Sequence, residues 1–155
     1  MTSIERLIAH LKTHEGFRAF VYDDATGQPI GPGTLVRGNP TIGYGWALNK
    51  TPMHQALADA ALRDMTQERI FELHHRLPWI GELDEVRKVV LYELAYNLGV
   101  EGLLGFEQTL ELLRRRRYAQ AGVELLDSEA ARQLPGRYHI LSDMLVSGRW
   151  PGEET

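Results

Sequence analysis

The strongest constraint on the fold is one change of residue chemistry along the chain. Residues 23–45 are crowded with Gly, Pro, Asn and Thr around short apolar runs, while the segments on either side carry helical spacing. No internal repeat, low-complexity tract or long linker interrupts that order. The pattern reads as an α+β fold in which a small β lobe stands beside a larger helical lobe, with a cleft between them. A length of 155 residues with 43% apolar content fits a single domain over 1–155 that folds alone. Its expected parts are an N-terminal helix at 2–14, a β-rich lobe over about 15–50 and a helical lobe over about 52–150.

In TSIERLIAHLKTHEG, Ile4, Leu7, Ile8 and Leu11 form the i, i+3, i+4, i+7 stripe of a helix packed on a core. Thr2 and Glu5 have the spacing of a capping box, and Gly16 has the place of a left-handed C-terminal cap. Phe17 to Tyr22 is β-like. Thr51-Pro52 reads as an N-cap followed by proline at the first helical position, opening a helix that ends near Leu77 before Pro78. Val86, Val90, Leu94 and Asn97 trace one face of a helix from Asp84 to Leu98, closed by Gly99. Shorter helices are expected near 106–117, 119–126 and 137–147, punctuated by Gly102, Gly105, Pro135 and Gly148.

Several functions are set aside by composition. The chain has no cysteine, which excludes disulfides, thiolate metal sites and thiol chemistry. The six histidines lack zinc-hydrolase spacing, and adjacent His74 and His75 would point about 100° apart on a helix, so no metal or other cofactor is expected. A net charge of -4 argues against a nucleic-acid partner, and Arg114 to Arg117 reads as the solvated end of a surface helix. Residues 1–20 carry Glu5, Arg6, Lys12 and Glu15 and so lack the apolar run of a signal peptide or membrane anchor.

The acidic residues of HEGFRAFVYDD raise a sharper question. Continuing the stripe of the first helix by four from Leu11 lands on Glu15, at the negative end of the helix dipole. That position is unfavourable for a carboxylate by a few tenths to about 1 kcal/mol. Two readings explain it: a general acid, or a surface glutamate at a frayed helix end. Asp23 and Asp24 precede Thr26-Gly27 and taken singly read as turn residues. Taken together, Glu15 and Asp24 supply what glycoside hydrolysis needs, one acid to protonate the leaving oxygen and one carboxylate to serve the attacking water.

Glu15-Gly16, Tyr22-x-Asp24 and Thr41-Ile42-Gly43-Tyr44-Gly45 resemble the signature of the phage-type lysozymes, the endolysins of glycoside hydrolase family 24. Asp84-x-Val86-Arg87, Tyr96-Asn97-x-Gly99, Gly102-x-x-Gly105-Phe106-x-x-Thr109-Leu110, Gln133-x-Pro135-x-Arg137 and Gly148-x-Trp150 are similar to that family's helical part, in the same order. The resemblance implies a lysozyme-like fold and a muramidase that hydrolyses the β-1,4 bond from N-acetylmuramic acid to N-acetylglucosamine in bacterial peptidoglycan. It implies Glu15 as the general acid, Asp24 as the carboxylate that activates water or stabilises the transition state, and Thr41 as the group that helps place the water. Asn97 would bind sugar hydroxyls or N-acetyl groups, Arg137 would orient the acid, and Tyr22 and Tyr44 would pack against sugars. Inversion at the anomeric carbon is the outcome usual for the family.

A monomer is the default expectation, and the lack of a secretion segment suits an endolysin made in a host cytoplasm, without stable membrane insertion. Such an enzyme reaches the cell wall through a separate holin or is carried in a virion. Two rival readings differ in chemistry: a lytic transglycosylase, which forms anhydro products, and a peptidoglycan-binding module without turnover. The sequence departs from the family pattern at three places. A Gly/Pro-rich insertion over about 28–40 separates Asp24 from Thr41, Trp46 stands where relatives commonly have His, and Ala130-Ala131 stand where an aromatic is common. The insertion is expected either to lengthen the β hairpin and extend the cleft or to decorate the lobe.

Overall fold

The computed structural model describes residues 2–153. Residues up to Asp59 form one compact unit and those from Ala60 onward form another. The α+β class expected from the sequence holds: the first unit carries a small antiparallel sheet and the second is helical.

The first unit begins with helix α1, Ser3–Glu15. Its start is the expected capping box, with Glu5 N–H donating to the Thr2 hydroxyl at 3.2 Å and Thr2 N–H donating to the Glu5 carboxylate at 2.6 Å. The apolar stripe expected to pack on a core is not covered by the rest of this unit, with 69% exposure at Ile4 and 45% at Leu11. Strands β1 (Arg18–Asp23), β2 (Pro40–Gly43) and β3 (Trp46–Ala47) follow in sheet order β1-β2-β3. Tyr22 stands opposite Thr41 and Asp23 opposite Pro40, while a bulge separates these pairs from Arg18 opposite Gly43.

The insertion leaves β1 and folds back along its other edge. Asp23 N–H donates to Gln28 O at 2.9 Å, Ile30 N–H donates to Val21 O at 3.1 Å, and Pro29 bridges Tyr22. This pairing satisfies part of an edge that would otherwise present unpaired backbone groups. Among the described residues of this unit only Asp23 and Thr41 are buried, so hydrogen bonds rather than an apolar core tie its parts together.

Helix α2, Gln55–Arg76, starts four residues after the expected Thr51 cap. Thr51 is occupied otherwise: its N–H donates to Ala47 O at 3.1 Å and its carbonyl accepts the Trp46 indole N–H at 2.9 Å. Half-buried Trp46 thus serves as an anchor for the chain leaving the sheet. Pro78 stops α2 as expected and opens a 3-10 turn, Pro78–Glu82.

In the second unit α3 spans Glu85–Leu104, capped by the Asp84 carboxylate on Arg87 N–H at 3.0 Å. Gly99 takes φ 73° and ψ 162° and breaks the helix as expected, but a further helical turn follows the break. Helix α4, Glu107–Arg114, ends before the rest of the arginine run, which forms an exposed turn. Helix α5 is Tyr118–Leu126, and α6, Glu129–Gln133, was not anticipated although the Ser128 hydroxyl caps it on Ala131 N–H at 3.1 Å. Helix α7, Pro135–Ser147, begins at its proline, whose fixed φ suits a first helical position.

Leu91, Leu94, Leu113, Leu125, Leu141 and Leu145 lie at the centre of this unit's apolar core. Truncating any one of them to alanine typically costs about 2–5 kcal/mol. Arg87 is buried among these helices and donates from Nε to Leu145 O at 2.7 Å and from Nη2 to Val146 O at 2.8 Å, neutralising the C-terminal end of α7. Its guanidinium also lies 3.6 Å from the Tyr118 ring centroid and pairs with Asp84 at 2.6 Å. No single helix among the described residues is long and apolar enough to cross a membrane.

Candidate active site

Glu15 is the last residue of α1, where Gly16 turns the chain toward β1 with φ 66° and ψ 151°. The positive φ was expected there, but the extended ψ is not that of a left-handed cap. The exposed Glu15 carboxyl lies against the backbone of the turn between β2 and β3. A Cβ on Gly45 would stand 3.0 Å from Glu15 Cδ and overlap Oε2, and Gly45 itself has φ 71°. The backbone angle favours glycine at 45, and a side chain there would displace the Glu15 carboxyl. Gly45→Ala is expected to push the Glu15 carboxyl aside while the helical unit stays folded, read as a shifted Glu15 carboxyl resonance beside an unchanged circular dichroism spectrum.

Aromatic and basic groups lie beside this position. The Phe17 and Tyr44 rings are 5.5 Å apart at 49°, and Lys12 Nζ is 5.5 Å from the Tyr44 ring centroid. Tyr44 is 44% exposed, so its ring is open to a ligand. Tyr22 is half-buried in β1 with the Arg18 guanidinium 4.6 Å over its ring, which places it in the sheet's packing.

The two adjacent aspartates have opposite surroundings, because successive residues at the end of a strand face opposite ways. Asp23 is only 2% exposed and accepts three backbone N–H groups: Ala25 at 3.0 Å and Gly38 at 2.9 Å on Oδ1, and Arg37 at 2.7 Å on Oδ2. Those bonds, the one from Arg37 foremost, hold its carboxyl below the ordinary 3.8. Asp24 is exposed, and Asn39 satisfies both its oxygens: the backbone N–H donates to Oδ1 at 2.6 Å and Nδ2 donates to Oδ2 at 2.8 Å. The Asn39 backbone bond and then its amide hold Asp24 below 3.8 as well. Thr41, 3% exposed, donates its hydroxyl to Asn39 O at 3.1 Å.

Asp24 and Thr41 are thus brought together through Asn39. Asn39, Asp23, Gly38 and Gly45 were all missed as parts of the site. Gly38 and Asn39 lie inside the inserted segment, and only the pairing of that segment with β1 reveals them.

In the second unit, Asn97 and Arg137 line one hollow of about 170 Å³ together with Leu98, Gln133 and Tyr138. Asn97 is exposed and donates from Nδ2 to Glu93 O at 2.7 Å, and Arg137 Nε donates to the Glu93 carboxylate at 2.8 Å. Glu93 was not anticipated as the partner of Arg137. A larger hollow of about 620 Å³, bordered by Phe106, Thr109, Glu124, Ser128 and Gln133, contains none of the expected site residues. No cluster of three metal-ligating side chains occurs among the described residues.

No protein-family model matches this chain. Among curated proteins it is similar to "Probable T4-type lysozyme 1" of Dictyostelium discoideum, with 27% identity over 66 residues, which is 43% of this chain and 39% of that relative. The match therefore spans less than half of either protein. It supports a lysozyme-like relationship, and the mixed helical chain with its small antiparallel sheet has the matching α+β, lysozyme-like fold.

Proposed function

We propose that this chain is a muramidase that hydrolyses the β-1,4 bond between N-acetylmuramic acid and N-acetylglucosamine in bacterial peptidoglycan. The observation that carries the reading is local to the first unit: a turn glycine fitted to the Glu15 carboxyl, and an Asp24–Thr41 pair tied through one asparagine. In the proposed step Glu15 gives its proton to the leaving glycosidic oxygen as the bond to the anomeric carbon breaks. Water adds to that carbon and loses its proton toward Asp24.

A carboxylate held below 3.8 is ionised at neutral pH but is a weak base, so Asp24 acts mainly by orienting water and opposing positive charge on the sugar. Thr41 helps place the water, exposed Tyr44 beside Phe17 offers an aromatic face to a sugar, and Asn97 and Arg137 are saccharide-binding candidates in the hollow they share. A role in phage lysis, with release through a holin or carriage in a virion, belongs to the same proposal. The similarity to a T4-type lysozyme supports the substrate class.

Mass spectrometry of soluble products from purified peptidoglycan tests the reading. Reducing muropeptides are expected. Anhydro-muramic products would make the protein a lytic transglycosylase, and sedimentation with the wall without released product would make it a binding module.

A further inference from the structure

We propose that Asn39, delivered by the inserted segment, is a positioning residue that locks Asp24 and Thr41 into one water-orienting unit. The inference rests on the muramidase reading for what the water attacks, and on the structure for the arrangement itself.

Asn39 is half-buried and uses every polar group it has in five hydrogen bonds. Its backbone N–H and its Nδ2 donate to the two oxygens of Asp24 at 2.6 and 2.8 Å. Its backbone carbonyl accepts Asp24 N–H at 3.1 Å and the Thr41 hydroxyl at 3.1 Å. Its Oδ1 accepts Asn49 Nδ2 at 3.1 Å, which fixes the amide so that the nitrogen faces Asp24. Gly38 completes the seat, because a Cβ there would overlap Asp24 Oδ1 and stand 2.7 Å from Ala25 Cβ. Asp24 is gripped at its backbone and at both carboxylate oxygens, which leaves its side chain little freedom.

The chemical consequence lies in where the protons point. Thr41 spends its hydroxyl proton on Asn39, so its oxygen has only lone pairs left to offer. Asp24, ionised and twice bonded, keeps lone pairs free on the same carboxylate. A water held by both donates its two hydrogens to them and turns its own lone pair away, toward an electrophile. The carbonyl that takes the Thr41 proton is backbone and stays in any variant at 39, so what the Asn39 side chain itself adds is the bond to Asp24 Oδ2, braced by Asn49. The insertion between Asp24 and Thr41 is therefore part of the catalytic apparatus: its first half covers the β1 edge and its last residues hold the carboxylate.

The test follows the Asp24 carboxyl by carbon NMR titration and kcat/KM against pH, in the wild type and Asn39→Ala. Asp23 and Lys50 also bear on Asp24, the first raising and the second lowering its pKa, and both stay unchanged in this variant. The expected result is an upward move of the Asp24 titration, the same upward move of the acid limb of the rate profile, and a loss in kcat of roughly tenfold with little change in KM. Asn49→Ala, which only frees the Asn39 amide, should move both in the same direction by less, and it serves if Asn39→Ala fails to fold. An Asp24 titration that does not move overturns the proposal, as does one that moves while turnover and its pH profile stay put. Asp24→Asn is measured in parallel. Unchanged turnover there removes Asp24 from the mechanism and defeats the underlying reading, whereas inactive Asp24→Asn beside fully active Asn39→Ala defeats only the role given to Asn39.

Discussion

Glu15→Gln is expected to abolish release of reducing muropeptides, lowering kcat by roughly 10²–10⁴-fold, with KM and the thermal unfolding curve close to wild type. The size follows from the role: glutamine keeps the shape of the side chain but has no carboxylic proton to give to the leaving oxygen. The unchanged stability follows from placement, because Glu15 is exposed at the end of α1, where loss of a negative charge at the helix C-terminus does not weaken the helix. The measurement is single-substrate kinetics on soluble glycan together with a melting curve. Activity within a few fold of wild type would overturn the general-acid role proposed for Glu15.

The second large effect separates two neighbours. Asp24→Asn is expected to reduce turnover by a similar order while the protein still sediments with peptidoglycan, since an exposed carboxylate is lost and the fold is not. Asp23→Asn is expected to fail differently. An amide nitrogen placed against the Arg37 N–H sets donor against donor in a buried site, in a unit whose only other buried residue among those described is Thr41. Its melting temperature should fall by several degrees below that of wild type.

The pH dependence carries the same distinction. Both carboxyls are held below the ordinary 3.8, so near and below that value the folded chain binds fewer protons than the unfolded one. Their stabilisation is fully present above the unfolded value and is lost as pH falls through the folded values. Wild type should therefore lose stability steeply in acid. Asp23→Asn should be less stable at neutral pH and show a shallower acid loss. Equal melting of the Asp23→Asn variant and wild type at pH 7 would mean that Asp23 does not hold the insertion.

Local features of the fold were legible because their partners are near in sequence. The Thr2 and Glu5 box, the start of α3 beside Asp84, the stop at Pro78 and the break at Gly99 all depend on groups within about one helical turn, or on a backbone angle that one residue type sets. Where such signals misled, a bond from beyond the local window had taken the residue: Thr51 looked like a helix cap, but its carbonyl is engaged by the Trp46 indole. The α1 stripe shows another limit, since amphipathic spacing states which face is apolar without saying what covers it.

For the candidate site, the residue types pointed to the proposed chemistry, and the tertiary structure set apart the surroundings of residues that look alike in sequence. A glutamate ending a helix, a second carboxylate after a short strand and a Thr-Ile-Gly-Tyr-Gly run were enough to name Glu15, Asp24 and Thr41 as candidates. Nothing in the string Asp23-Asp24 distinguishes one aspartate from the other. Strand alternation buries the first against Arg37 and Gly38 and turns the second toward Asn39, partners 14 or 15 residues away. Their identity depends on strand register and on how the insertion closes. Register is a property of the paired chains, which is why Asn39 became visible only once β1 and β2 lay side by side.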